Sequence, residues 1–506
     1  MTKYFIPGLI ALFLFSCAGE KMKTPSQKRD FETPSTHEEM IAFMIKIDKE
    51  FDFAQTFELG KNSRGQSIAG VKLTNGVFGE DPEKLKILVF AQQHGNEQSG
   101  MEGALLWLSK FASTTEQILL QKADICIIPQ VNPYGSMKNQ RRNPNDYDLN
   151  RNHMLLDQPE TKALHNFFHE YTFDVTIDMH EYWPYSEEWR EFGAFKNFDM
   201  QIGTLTNPNT FEKLRDYALT NVFPYLGEEL EKQDLSFFNY LVGPAPQIGY
   251  SRHSTADIND GRQSFGIMNT LSFIFEGLNG MDRYSDSLQR RAFAQYIALD
   301  LLLNKIYRDA SLVKEIVDQG RSKLLNPEPN EKVAIRIEHI NKGEILELPL
   351  VTPDERKDTM VFLENYHPHA ISTLDVEKPE GYLIPDTLTD LIDLLRLHNI
   401  DFFKAGQQHM STINGYWIQQ ITQSVDEGLD NVFPAVTLRE IQANPVQFYF
   451  VPTRQLAGNK IVIMLEPQSM YGIINTATFS DLLQPGELYP VLRVEWENPT
   501  SAIETK

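Results

Sequence analysis

The chain is 506 residues long, 41% hydrophobic, and carries 47 Lys and Arg against 69 Asp and Glu, a formal net charge of −22. That length and apolar content suffice for two or more domains, each with a substantial core, and exclude a disordered polymer. The acidic balance leaves no basic face for phosphates, which argues against nucleic acid or an anionic membrane surface as a partner.

The N-terminal segment MTKYFIPGLIALFLFSCAGE places Lys3 ahead of an apolar stretch that ends at Ser16-Cys17. The stretch is too short and too terminal for an ordinary membrane span and reads as an export signal. Leu14-Phe15-Ser16-Cys17 resembles the lipobox of bacterial lipoproteins, with Phe15 where a small residue is usual. This resemblance implies a signal peptide over 1–17, a lipid on Cys17, and a location on the bacterial cell envelope, at the periplasmic side of the outer membrane. A plain secretory signal with an incidental cysteine is the alternative. Residues 18–35, polar and containing Pro and Ser, read as a tether. The other cysteine, Cys126, lies inside the apolar run ADICIIPQV and is expected as a small core residue.

From Thr36 the run HEEMIAFMIKIDKEF has apolar residues at helical spacing, and FELGKNSRGQSIAGVKLTNG reads as two strands joined by a Gly-containing turn. KLKILVF is a continuous apolar strand, SGMEGALLWLSKFAS an amphipathic helix, and ADICIIPQV a second buried strand. Strand, helix and strand in such close succession form a βαβ unit, so the expected fold is α/β, a mostly parallel or mixed sheet with helices on both faces. FDVTIDMH at 173–180 and TLSFIFEG at 270–277 fit the same sheet, and a helix is expected around 287–319. The two prolines of SKLLNPEPNEK mark a boundary near 325. Beyond it the runs KVAIRIEHI, VQFYFVP, KIVIMLEP and LYPVLRVEW read as strands and TLTDLIDLLRLHN as a helix, a smaller β-rich domain. The expected division is a catalytic domain over 36–320 and an accessory domain over 326–500.

Chemistry enters with FAQQHGNEQSG, where His94 and Glu97 follow the strand KLKILVF. One His-x-x-Glu is expected by chance in a chain with 12 histidines, so the pair means a metal only if further ligands converge on it. In open α/β sheets ligands bind beyond the carboxyl ends of the strands, where His94, His180 and Glu276 all emerge. His94, Glu97 and His180 supply the two imidazoles and one carboxylate that suit catalytic zinc, one Zn2+ per chain, with a fourth position left for water. Glu276, a carboxylate at the end of an apolar strand, is the candidate general acid/base for hydrolysis, and a structural salt bridge is its other reading. The loop NPYGSMKNQRRNPNDYDLNRN is dense in Arg and Asn, which suits a substrate carboxylate or a developing oxyanion.

Taken in order, His94-x-x-Glu97, Asn132-Pro133-x-Gly135, Arg141-x-Asn143, Asp148-Leu149-Asn150-Arg151-Asn152, Asp178-x-His180 and Glu276 resemble the zinc metallocarboxypeptidases of the carboxypeptidase A type, peptidase family M14. The resemblance spans roughly residues 36–315. It implies that His94, Glu97 and His180 bind zinc, that Glu276 is the general acid/base, and that Arg141 stabilises the oxyanion. It also implies that Asn150 and Arg151 clamp a substrate's terminal carboxylate and that Asp148 orients the first zinc histidine. For the tyrosine that caps the substrate in this family, Tyr250 is the nearest position, with a packing role as the alternative. Arg262 either completes the anion pocket or forms a surface salt bridge. The activity implied is removal of C-terminal residues from peptides with a free C-terminus. The alternatives are a zinc amidohydrolase of N-acyl amino acids or cell-wall peptides, and an inactive binding protein on the same fold.

Overall fold

The computed structural model describes residues 22–496 except 115–116, 329, 355, 407–411 and 427–428; the export signal and Cys17 lie outside the described residues. Helix α1 (His37–Glu50) begins at a reciprocal cap in which Thr36 Oγ1 accepts from the Glu39 amide and Glu39 Oε2 accepts from the Thr36 amide. Its buried residues Met40, Phe43, Met44 and Ile47 follow the helical period and pack under the sheet that comes next.

That sheet has eight strands: β1 (Ala54–Lys61), β2 (Ser67–Leu73), β3 (Leu85–Ala91), β4 (Ala123–Ile128), β5 (Val175–Tyr182), β6 (Met200–Gly203), β7 (Phe237–Asn239) and, further along the chain, Leu271–Leu278. Between the last two lie the short strands β8 (Leu241–Val242) and β9 (Ser251–His253), so the strand Leu271–Leu278 is β10. The spatial order is β1-β2-β4-β3-β5-β10-β6-β7. The centre, β4-β3-β5-β10, is parallel, while β2 and β6 flank it antiparallel. The sheet is therefore mixed, with a parallel middle whose strands are apolar throughout because both faces are covered. On β3, Ile87, Val89 and Ala91 enter the core under α1 and α2 (Gln98–Ser113), and Leu88 and Phe90 enter the opposite core.

Strand order reverses between β3 and β5, since β3 runs through α2 to β4 on one side while β5 pairs on the other. This is the switch point at which such sheets leave a crevice. The parallel register pairs Glu276 of β10 with His180 of β5, and β3 delivers His94 just past its end beside them.

Three expectations differ from the structure. Residues 22–35, expected as part of a tether, lie against the first core: Met22 is buried and Ser109 Oγ donates to its carbonyl. Ser26 Oγ donates to the Thr33 carbonyl at 2.9 Å and Arg29 pairs with Glu39 at 2.6 Å, so polar residues are satisfied locally instead of by water. The helix expected over 287–319 is two helices, Leu288–Arg308 and Ala310–Leu325, broken at Asp309. KIVIMLEP, expected as a strand, is instead contained largely in the helix Gly458–Leu465, all of whose residues are buried. A run that is apolar all round carries no period, so strand and buried helix are indistinguishable in it. The C-terminal region packs closely on the first part. One continuous apolar cluster joins Phe90, Phe168 and Phe265 to Tyr382, Leu395 and Val462. Strand Tyr366–His367 pairs with β9, and the hairpin of Leu346–Val351 with Asp358–Leu363 packs on Trp189, Phe198 and Leu241. Cys126 is a fully buried core residue, and burial pushes its thiol pKa far up.

Candidate metal centre and substrate cavity

β3 is followed by Gln92, whose φ of 53° turns the chain ahead of His94 and Glu97. Gly95 and Gly135 make that turn possible. A Cβ on Gly95 would come within 2.0 Å of the Gly135 carbonyl carbon, so only hydrogen fits where the two loops cross. Asn132 caps the short helix Pro133–Lys138 by accepting from the Gly135 amide at 2.9 Å, and its Nδ2 holds the Gln93 and Arg141 carbonyls. The Asn-Pro-x-Gly motif is thus a brace for the turn that carries His94.

The three expected ligands converge. His94 Nδ1 lies 2.8 Å from Glu97 Oε1, His180 Nδ1 lies 2.8 Å from Glu97 Oε2, and the two Nδ1 atoms are 3.1 Å apart. All three side chains are buried, and their donor atoms lie within 4.8 Å of one another. The outer imidazole nitrogens are held by carboxylates: His94 Nε2 is 3.0 Å from Asp148 Oδ1, and His180 Nε2 is 2.9 Å from Asp178 Oδ1. Anchoring the Nε2 atoms in this way fixes both rings with Nδ1 facing inward.

The electrostatics ask for a cation. Burial opposes charge on His180, yet Asp178 and Glu97 outweigh it and push the imidazole pKa well above its usual value. Burial likewise opposes ionisation of Asp148, but the His94 hydrogen bond and the charges of His94 and Arg141 hold its carboxyl well below the ordinary carboxylate range. Two inward Nδ1 atoms, a buried carboxylate bridging them and an excess of negative charge fit a zinc ion held by His94, Glu97 and His180.

A cavity of about 230 Å³ opens beside these ligands, lined among others by Arg141, Asn150, Arg151, Tyr240, Arg262 and Glu276. Burial raises the Glu276 pKa to about 7; His180 opposes the rise and Glu97 adds to it. The Tyr240 hydroxyl lies beside Glu276, and burial and the Glu276 charge push its pKa well up. Asp148 is a hub. It accepts from His94 Nε2 and from the Asn150 amide at 3.0 Å through Oδ1, and from Arg141 Nε at 2.9 Å through Oδ2. Arg141 is half-exposed, with Nη1 3.6 Å from Glu97. Asn150 and Arg151 sit on one short turn, Leu149–Arg151, and Asp257, Asp260 and Asp148 outweigh the desolvation of Arg151 and keep it protonated.

The structure separates the alternatives left open for Tyr250 and Arg262. Tyr250 is absent from the cavity wall; its ring stacks on His367 with centroids 4.4 Å apart. Tyr240 instead lines the cavity beside Glu276. Arg262 forms no surface salt bridge: it is 1% exposed, lines the cavity, and donates to Asp260 Oδ2 at 2.9 Å and to Ser254. Asp178, quoted in the Asp178-x-His180 motif without a role, is the carboxylate beside His180 Nε2; Asp260 was missed in the sequence. Trp183 and Arg283, stacked at 3.9 Å, line the same cavity.

Residues 40–218 match the family model for zinc carboxypeptidases, Peptidase_M14. That segment contains every expected metal ligand together with Arg141, Asp148, Asn150 and Arg151; Glu276 lies beyond it on the neighbouring strand. Over most of its length the chain is similar to Carboxypeptidase 2 of Trichophyton rubrum, 24% identical over 494 residues that cover 91% of this chain and 87% of the relative. Carboxypeptidase 2 of Trichophyton tonsurans is 23% identical over 486 residues, with the same shares covered. Among solved structures, a metallo-carboxypeptidase from Pseudomonas aeruginosa in complex with (2-guanidinoethylmercapto)succinic acid aligns with a TM-score of 0.43 and 19% identity, over 55% of this chain and 70% of that one.

Proposed function

We propose, from the premise that the chain carries a Peptidase_M14 zinc carboxypeptidase domain and is an enzyme of the metallocarboxypeptidase class, that it is an exported zinc enzyme cleaving single residues from peptide C-termini with Glu276 as general acid/base. The observation that carries this reading is the meeting of His94, Glu97 and His180 at one point, beside a cavity that Glu276, Arg141 and the Asn150-Arg151 turn line with His94 and Glu97.

Bound there, zinc would supply a Lewis acid that polarises the scissile carbonyl. The chain's own groups divide the remaining work. Glu276 takes a proton from the attacking water at its carboxylate and returns it to the leaving amine, a task suited to a carboxyl whose pKa lies near 7. Tyr240 places its hydroxyl beside that carboxylate. Arg141, fixed at Nε by Asp148, leaves its terminal nitrogens to face the developing oxyanion. Asn150 and Arg151 present amide and guanidinium donors to the terminal carboxylate, which sets the distance from chain end to cleaved bond. Arg262 and Asp260 line the same wall as a neutralised pair.

The apolar N-terminal stretch and Cys17 support export with a lipid anchor on the cell envelope. The division into a catalytic domain to about residue 320 and an accessory domain from 326 is kept as a proposal in which the second part braces the cleft wall through β9. The deciding test is hydrolysis of a peptide library with free C-termini, read by mass spectrometry, with and without a chelator. Zinc binding without peptide cleavage would move the assignment to N-acyl amino acids or wall peptides.

A further inference from the structure

Behind the metal ligands lies a row of buried polar side chains that the proposed chemistry does not use. Gln93, fully buried and next to His94, donates from Nε2 to Asp178 Oδ2 at 2.8 Å and to Asn150 Oδ1 at 3.3 Å. Its Oε1 lies 2.7 Å from His153 Nε2, and His153 Nδ1 lies 2.9 Å from His165 Nε2. Asp178 accepts only, so the amide must turn its NH2 toward that carboxylate and its oxygen toward His153. His153 must then carry its proton on Nε2, and burial keeps the ring neutral by lowering its pKa to about 3.

The consequence falls on Asn150. Its Oδ1 receives two donors, Gln93 Nε2 and the Gly261 amide at 2.8 Å, which turns its own NH2 away from them, on the side of His180 Nε2 at 3.4 Å. The same Gln93 NH2 group fixes Asp178, which anchors His180. The packing leaves no slack: a Cβ on Gly261 would meet Asp178 Oδ2 at 2.9 Å, Gln93 Nε2 at 3.0 Å and His153 Cε1 at 3.2 Å.

We propose that Gln93 is a positioning residue that couples the metal-ligand imidazole of His180 to the carboxylate-binding amide of Asn150, with its own orientation set by His153. This rests on the carboxypeptidase reading of the site. One amide thereby orients two parts of the site at once, so losing it disturbs metal affinity and substrate affinity together. A residue that merely filled the core would disturb neither in the folded protein.

The test compares the full chain with its Gln93→Met and His153→Phe variants, each checked for folding by thermal unfolding. Met keeps the length of Gln93 and loses its amide; Phe keeps a ring at 153 and removes the donor to Oε1. Zinc affinity, read by competition with a chromophoric chelator, falls about 10–100-fold in Gln93→Met. KM for a peptide with a free C-terminus rises by more than kcat falls, and His153→Phe moves both readouts the same way by a smaller factor. Zinc affinity and KM both within about twofold of the parent in a folded variant would overturn the proposal. A parent protein that binds zinc but releases no C-terminal residue contradicts the proposed function, and the chelator competition still decides the role of Gln93.

Discussion

One wall of the cavity is made of strand ends and the other of a long connection. His94, His180 and Glu276 leave adjacent parallel strands at fixed spacing, with Glu276 in register with His180, so the backbone ladder itself sets their geometry. Tyr240, Asp260 and Arg262 come from the chain between β7 and β10, held by short strand pairs, by buried ion pairs and by a strand from the C-terminal half. The first wall carries the proposed proton transfer, which requires precise placement, and the second can vary while the ladder stays intact. Substitutions on the strand wall should therefore cost more turnover than substitutions on the connection.

The largest effect belongs to the strand wall. Glu276→Gln should lower kcat by about 10²–10⁴-fold while zinc content stays that of the parent, because it removes proton transfer and no ligand; steady-state rates with metal analysis check both halves. Arg151→Ala should lower kcat/KM for peptides with free C-termini by about tenfold or more, the worth of a charge-assisted hydrogen bond. An unchanged preference over the amidated peptide would contradict the carboxylate clamp.

The tyrosines probe the connection. Tyr240→Phe should lower kcat by about two- to tenfold through loss of the hydroxyl beside Glu276, whereas Tyr250→Phe, at a ring stacked on His367, should leave kinetics unaltered. The opposite ranking would restore Tyr250 to the site. The smallest change is a shift with pH. Glu276 acts as a carboxylate, and burial holds its pKa at about 7 before a cation draws it lower. Its ionised fraction falls as pH drops, so kcat/KM of the zinc-loaded enzyme should show an acidic limb at or below that pH, measured as a rate profile on one peptide.

How much of this was legible follows the same division. The parallel centre of the sheet, α1 and α2 carry clear periods or continuous apolar runs, and Glu276 stood out as a carboxylate ending one. The ligands were legible because strand ends converge wherever a parallel sheet forms. Tyr240 was not: which tyrosine lines the cavity depends on how the chain between β7 and β10 folds back, a non-local fact with no signal in residue order. Residues 22–35 failed for another reason, since polar groups closed by local turns look the same as solvated ones. Helix Gly458–Leu465 failed because an element buried on all sides shows no face.

The central claim is one zinc at His94, Glu97 and His180 serving C-terminal hydrolysis. It is tested most directly by measuring bound metal on the purified chain together with release of single C-terminal residues from free-acid peptides, before and after chelation. One zinc per chain, with cleavage lost on chelation and regained on adding zinc, is the expected result. Cleavage that survives complete removal of the metal would contradict the account.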